Sequence, residues 1–195
     1  MRMSENASTI GHLTADDFLL ADQSSFGSAW RYEMVDGRII PPAAPSPDHA
    51  AILAGLTTAL GNRLRDRRDC RPEIGSGAVS ARQQRNTARI PDGTVRCGDL
   101  PRVMFEVVSP SELAHPRQRD RKRRDLQDVE GVEEIVELYQ EGSVHIYRRR
   151  GQAWMFEAID GLDATLTLDS IGLAIPLAEI YAFVEIPPED AEQIG

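Results

Sequence analysis

The sequence predicts a mixed α/β domain, and three observations support this class. Residues 49–65 repeat apolar side chains at helical spacing, which is typical of a helix with one buried face. Residues 102–108 are almost entirely apolar, as a buried central strand should be. A polar helix over residues 116–129 is preceded and followed by strand-like segments. Strands on both sides of a well-defined helix indicate a sheet with helices packed against it.

The first elements along the chain are a short helix and a hairpin. Thr14 is followed by Asp16 and Asp17, and an N-cap with acids in the first turn is typical of a helix start. Residues 31–35 and 38–40 flank the pair Asp36-Gly37, which favours a tight reversing turn.

A proline-rich connector over residues 41–47 leads into the long helix, which either Ser46 or Asp48 caps. Residues 71–84 carry only a weak strand pattern, interrupted by glycines. The later predicted elements are strands at residues 135–139, 144–148, 153–159 and 165–168, and a final short helix at residues 177–183.

Length and composition indicate one soluble domain. The chain has 195 residues, of which 41% are hydrophobic and 27% charged. We expect a disordered N-terminus over residues 1–12, a single domain over residues 13–184 and an acidic tail over residues 185–195. Neither a membrane span nor a signal peptide is recognisable, so a cytoplasmic location is expected. Cys70 and Cys97 are then expected as reduced thiols rather than a disulfide, and their spacing does not suit zinc.

The formal net charge is −9, which argues against a broad surface for nucleic acid. The charge is uneven, however, because one short segment concentrates basic residues. They are Arg117, Arg119, Arg121, Lys122, Arg123 and Arg124. Such a run is either a solvated helix face or a contact surface for phosphate, and both interpretations stay open at this point.

Two carboxylates could carry chemistry. Glu106 lies inside the apolar strand, where an uncompensated charge costs several kcal/mol. Its alternatives are an exposed strand end or a pairing with arginine. Asp92 lies fourteen residues earlier (106 minus 92), before Gly93, where a plain turn role is the alternative. A strand, a turn and a second strand would bring both acids to one sheet edge, where the pair would favour a divalent cation.

Several short segments resemble, in order and spacing, the Uma-type family, long described as a domain of unknown function and assigned to the PD-(D/E)XK nuclease superfamily. The resemblance implies a restriction-endonuclease-like core, with a central mixed sheet flanked by helices and additional β-hairpins. The matching segments are 31–37 (RYEMVDG), 45–49 (PSPDH), 90–92 (IPD), 105–111 (FEVVSPS), 122–126 (KRRDL), 131–135 (GVEEI), 161–166 (GLDATL) and 176–181 (PLAEIY).

The resemblance also implies roles for individual residues. Glu33, Asp92 and Glu106, with the backbone carbonyl of Val107, would hold Mg²⁺ or Mn²⁺. Asp92, Glu106 and Lys122 would be the catalytic residues. The motif lysine normally stands two residues after the second acid, where this chain has Val108, and Lys122 on the following helix takes its place.

Two further positions bear on this comparison. The family tends to carry an aspartate four residues before its lysine, where this chain has Gln118. His49 either lines the cleft or caps the long helix, and the structural role is the one favoured.

The implied function is a metal-dependent endonuclease that hydrolyses phosphodiester bonds of nucleic acid, with DNA as the expected partner. Its expected form is a homodimer by analogy with related nucleases. The basic segment, through Arg117, Arg119, Arg121, Arg123 and Arg124, would contact phosphate. Two alternatives remain: a nucleic-acid-binding or regulatory module that has lost cleavage, and an interaction protein whose acids form ion pairs with arginines.

Overall fold

The computed structural model describes residues 14–27, 31–75, 79–80 and 86–186. The expected disorder over residues 1–12 and most of the expected acidic tail lie outside the described residues. A helix with the length and hydropathy of a membrane span does not occur in the described part of the chain.

Two of the predicted helices begin directly after a residue whose side chain caps them. The Thr14 side chain accepts a hydrogen bond from the backbone N–H of Asp17 at 3.1 Å, which caps the first helix. Ser46, rather than Asp48, caps the long helix by accepting from the N–H of His49 at 3.1 Å. The helices are α1 (Ala15–Leu20), α2 (Pro47–Leu64), α3 (Pro110–Leu113), α4 (Pro116–Gln127) and α5 (Leu177–Ile180), with a 3-10 turn at Gln23–Phe26.

The strands form three sheets within the described residues. In chain order they are β1 (Glu33–Val35), β2 (Arg38–Ile40), β3 (Cys70–Ile74), β4 (Val79–Ser80), β5 (Ala88–Arg89), β6 (Gly93–Cys97), β7 (Leu100–Val108), β8 (Glu134–Tyr139), β9 (Val144–Arg150), β10 (Ala153–Ile159), β11 (Thr165–Leu168) and β12 (Leu173–Pro176). The central sheet has the order β10-β9-β8-β7-β6-β3, a second sheet has the order β2-β1-β5-β4, and β11 pairs with β12.

The central sheet is mixed because β7 and β8 run parallel while its other pairs are antiparallel. Parallel neighbours need a crossover connection, and here α3 and α4 provide it. The fold is therefore a mixed α/β fold whose central sheet is flanked by helices, as the sequence predicted.

Both faces of the central sheet are covered at β7, which explains the nearly continuous apolar run of this strand. On one face, Phe105 belongs to a core cluster with Leu56 of α2 and Ile175 of β12. On the other face, Met104 packs with Leu126 of α4. Side chains of a strand alternate between faces, so Glu106 projects on the same side as Met104, toward α4.

The hairpin at Asp36-Gly37 forms as predicted. Asp36 has φ 51° and Gly37 has φ 73°, the left-handed values that a two-residue hairpin turn requires. Met34 of β1 lies directly opposite Ala88 of β5, and both pack against Phe18 of α1. This second sheet places Glu33 beside the segment that leads from Arg89 to Asp92.

Cys70 and Cys97 form a disulfide, so the prediction of reduced thiols is wrong. The two cysteines lie directly opposite each other on the antiparallel strands β3 and β6, with 4.0 Å between their Cα atoms. The sequence does not predict this register, because the two cysteines are 27 residues apart and the strand pattern that follows the first one is weak. The expected cytoplasmic location stays a prediction, and reduced cysteines no longer support it.

Candidate active site

A cleft of about 660 Å³ brings together the acids and the lysine singled out in the sequence. Its walls are formed by β1, the connector after β2, the segment before β6, the end of β7, and α4. Its polar lining includes Glu33, Asp92, Glu106 and Lys122, while residues 41–45 supply an uncharged proline-rich wall.

Strand pairing places Asp92 next to Glu106. Gly93 of β6 lies opposite Phe105 of β7, so the residues that flank this pair, Asp92 and Glu106, are adjacent on the antiparallel ladder. The backbone N–H of Val107 donates to Asp92 Oδ2 at 2.9 Å, which fixes the carboxylate against β7. Both acids are nearly buried, with 6% of Asp92 and 8% of Glu106 exposed.

Lys122 connects the acids of the two sheets. Its Nζ lies 2.6 Å from Glu106 Oε2 on the central sheet and 3.5 Å from Glu33 Oε1 on the second sheet. The other oxygen of Glu106, Oε1, is buried and has no hydrogen-bond partner within the described residues. A buried carboxylate oxygen without a donor is costly, so this atom is a natural acceptor for a cation or a bound water.

The protonation of the cleft follows from burial and from the charges that meet there. Burial by itself would raise the pKa of Asp92, but the adjacent His49 side chain and the charge of Lys122 outweigh it and lower this pKa to about 2. Burial raises the pKa of Glu106 well above its ordinary value, and the neighbouring Asp92 and Glu33 add to this, while Lys122 opposes it.

Like Asp92, Glu33 and Lys122 stay charged at neutral pH. Burial would raise the pKa of Glu33, yet Lys122 and Arg89 lower it overall. Burial would lower the pKa of Lys122, but Glu106, Glu33 and Asp92 raise it. Lys122 is therefore an ammonium ion at neutral pH and cannot serve as a proton acceptor there.

Two residues that the sequence analysis did not assign to the site contact Asp92. Arg31 Nη2 lies 3.2 Å from Asp92 Oδ1, and His49 Nε2 lies 3.4 Å from the same oxygen. His49 therefore lines the cleft, whereas the sequence favours a structural role for it. Both residues belong to segments that carry the family resemblance, and this signal could have identified them.

Arg89 forms a buried bridge that the sequence did not reveal. Its Nη1 donates to Glu33 Oε2 at 2.8 Å, and its Nε donates to Asp125 Oδ2 at 2.9 Å. Asp125 follows Lys122 by about one helical turn on α4 and is 4% exposed. Arg89 therefore ties the strand that carries Glu33 to the helix that carries Lys122.

The arginines of α4 do not share one environment. Arg119 and Arg121 line the cleft, and Arg121 forms an ion pair with Asp36 at 2.6 Å. Arg123 instead pairs with Glu137 of β8 at 3.2 Å and lies over the ring of Tyr147. Arg117 and Arg124 are exposed and lie outside the cleft lining. Contact with phosphate stays a prediction for all five arginines, and the cleft itself favours Arg119 and Arg121.

The donor chemistry of the cleft suits a divalent cation, although the described residues hold no preformed cluster of three His, Cys, Asp or Glu side chains around a metal position. Hard cations such as Mg²⁺ prefer carboxylate and carbonyl oxygens, which Glu33, Asp92, Glu106 and the Val107 backbone supply. The unpartnered Oε1 of Glu106 fits such a ligand. In this arrangement the Lys122 ammonium is the cation that contacts Glu106 and Glu33.

Comparison with known proteins identifies a matching family model and similar solved structures. A family model described as "Uma2: Putative restriction endonuclease" matches residues 15–178. The chain is also similar to a solved structure described as a "putative nuclease belonging to DUF820 from Anabaena variabilis ATCC 29413", with a TM-score of 0.66 and 18% identity. This match covers 88% of the present chain and 99% of the other, and at this identity it shows the fold alone. No curated protein matches the chain.

Proposed function

Because the chain belongs to the Uma2 family, described as putative restriction endonucleases, we propose that it is a metal-dependent endonuclease that hydrolyses phosphodiester bonds in DNA. One observation supports this most: Glu33, Asp92 and Glu106 converge with Lys122 in a single cleft. The basic groups beside these acids suit a phosphate-bearing substrate, and the acids suit the divalent cation that such a substrate would share.

In this proposal, Glu33, Asp92, Glu106 and the carbonyl of Val107 hold Mg²⁺ or Mn²⁺. When bound, the cation polarises a phosphoryl oxygen and lowers the pKa of water. The N–H of Val107 and the side chains of Arg31 and His49 hold the Asp92 carboxylate in place.

Lys122 acts as a charge rather than as a base. Because it stays protonated, its ammonium orients the attacking water or stabilises the negative charge that develops on phosphate. Arg119 lines the same cleft and, unlike Arg121, forms no ion pair among the described residues. Arg119 is therefore the arginine best placed to bind a flanking phosphate.

The test compares cleavage of plasmid DNA, single-stranded DNA and RNA with Mg²⁺ or Mn²⁺ by the wild type and two variants. Asp92→Asn removes a charge inside the cleft, whereas Asp99→Asn removes one at an exposed turn outside it. We expect Asp92→Asn to lose cleavage and Asp99→Asn to keep it. Equal cleavage by wild type and Asp92→Asn would reveal a contaminating nuclease and end the proposal.

A second candidate is a nucleic-acid-binding module that does not cleave. The ion pairs that Lys122 makes with Glu106 and Glu33, and Val108 at the usual lysine position, favour it. Divalent-dependent binding of DNA without cleavage by the wild type would support this candidate over the enzyme.

The third interpretation, in which the acids only form structural ion pairs with arginines, predicts no metal binding. Glu33 and Asp92 do contact arginines, but Glu106 contacts Lys122 and keeps one oxygen unpartnered within the described residues. A calorimetric titration in which Mn²⁺ binds the wild type and not Glu106→Ala would exclude it.

A further inference from the structure

The strand β10 leaves an open edge on the central sheet. Among the described strands, only β9 pairs with it. Most of its seven residues are exposed, and Met155 and Phe156 are 59% and 57% exposed. An edge strand presents unpaired backbone N–H and C=O groups, so it is a template for another strand.

The opposite edge of the same sheet is protected. Strand β3 carries Pro72, which has no N–H to donate, between the charged residues Arg71 and Glu73. Proline and charge are the usual means by which proteins block pairing at a sheet edge. Strand β10 contains no proline and a single charge, that of Glu157, which forms an ion pair with the buried Arg148.

The exposed apolar side chains of β10 lie on both of its faces. Successive strand residues point to opposite sides, so Met155 and Phe156 face different ways. A partner packed against one face would cover only one of them. A strand paired along the edge would contact both, because cross-strand neighbours touch on each face.

We propose that β10 is the interface of a two-fold homodimer, in which β10 of one copy pairs antiparallel with β10 of a second copy. A two-fold axis at Phe156 places the two Phe156 rings side by side. It also places Met155 opposite Glu157 of the other copy, and Trp154 opposite Ala158. No like charges face each other in this register, and Glu157, the single charge of the strand, is already paired with Arg148 of its own copy.

Sedimentation of the full chain tests the interface. We expect the wild type to sediment as a dimer and Phe156→Lys as a monomer, because two lysines on the axis repel each other. The control is Phe183→Lys, which replaces an equally exposed phenylalanine (64%) outside β10 and should remain a dimer. A monomeric wild type, or a Phe156→Lys variant that still dimerises, would overturn the proposal.

A crosslink tests the register without introducing charge. Phe156→Cys should form a covalent dimer on mild oxidation, because the two introduced thiols meet at the axis, whereas Phe183→Cys should not. The native cysteines are already joined to each other, which keeps them out of the reaction. A wild-type dimer whose Phe156→Cys variant fails to crosslink would contradict this register. Neither readout uses cleavage, so the outcome is independent of the proposed nuclease activity.

Discussion

At the scale of single residues, the cleft depends on Lys122. The ammonium contacts acids from two sheets and neutralises part of their mutual repulsion. It also opposes any divalent cation that shares those acids. Removing the charge should therefore separate metal binding from cleavage.

The substitution Lys122→Met should strengthen Mn²⁺ binding in a calorimetric titration, because a competing cation is lost. Cleavage should fall by about 100- to 1000-fold, the usual effect of losing one group that stabilises transition-state charge. Lys122→Arg keeps the charge and should bind Mn²⁺ much as the wild type does. A Lys122→Met variant with unchanged Mn²⁺ affinity would show that the lysine lies outside the metal position.

Asp92 should make stability depend on acid pH. Its pKa falls from 3.8 to about 2 on folding, so it stabilises the fold above pH 3.8 and loses this contribution as the pH drops toward 2. The shift corresponds to about 2 kcal/mol. Between pH 5 and pH 2, urea unfolding should show a smaller loss of stability for Asp92→Asn than for the wild type. Asp99→Asn, which changes an exposed acid, should follow the wild type.

At the scale of helices and strands, the sequence identified the elements that are long enough to show a clear apolar pattern. The helix α2 and the strand β7 were predictable because burial of one face, or of both, leaves a clear pattern. The short elements α3 and β12 were not predicted, because the capping box of Ser109 and Glu112 defines α3 and the pairing with β11 defines β12, rather than an apolar periodicity. The last helix, α5, ends at Ile180, three residues before the predicted end at 183.

The packing between elements was harder to predict. The approach of Asp92 to Glu106 followed from one local hairpin and could be predicted. The bridge from Arg89 to Asp125 joins residues 36 positions apart through the docking of α4 on β5, which no local pattern records. The contact of His49 with Asp92 depends in the same way on how α2 lies against the central sheet.

The Arg89 bridge should be energetically coupled. Arg89→Met leaves the buried Asp125 without its arginine, and breaking a buried ion pair costs about 3–5 kcal/mol. Adding Asp125→Leu removes the second charge, so the double variant should be about 1–3 kcal/mol more stable than the sum of the single effects predicts. Urea unfolding of the four proteins in this cycle measures the coupling. Strictly additive losses would mean that the bridge contributes nothing.

At the scale of the whole molecule, the fold class was predictable and the covalent link was not. Alternating strands and helices fixed the class as mixed α/β, and the model match over residues 15–178 placed the chain in its family. The disulfide required the register of β3 on β6, which the weak pattern over residues 71–84 did not supply. The net charge of −9 also gives no indication of the cleft, because a sum over the whole chain does not show the basic groups that line it.

The disulfide should contribute substantially to global stability. It closes a loop of 27 residues, for which chain entropy predicts about 3.5 kcal/mol of stabilisation. The double variant Cys70→Ser/Cys97→Ser should lose about this free energy in urea unfolding. Wild type treated with a reductant should lose a similar amount, while the reductant should leave the variant unchanged. A variant as stable as the oxidised wild type would show that the bond is dispensable.

The parallel pairing of β7 with β8 has a consequence for which segments can place a cation beside Glu106. A chain that leaves β7 and re-enters beside it in the same direction must carry its connection across the sheet, and here α4 lies over the side from which Glu106 projects. Lys122, one turn before the Leu126 contact, therefore reaches Glu106 from above the sheet. With Val108 on the strand, two residues after Glu106, the topology still lets the crossing helix supply the amine that contacts this acid.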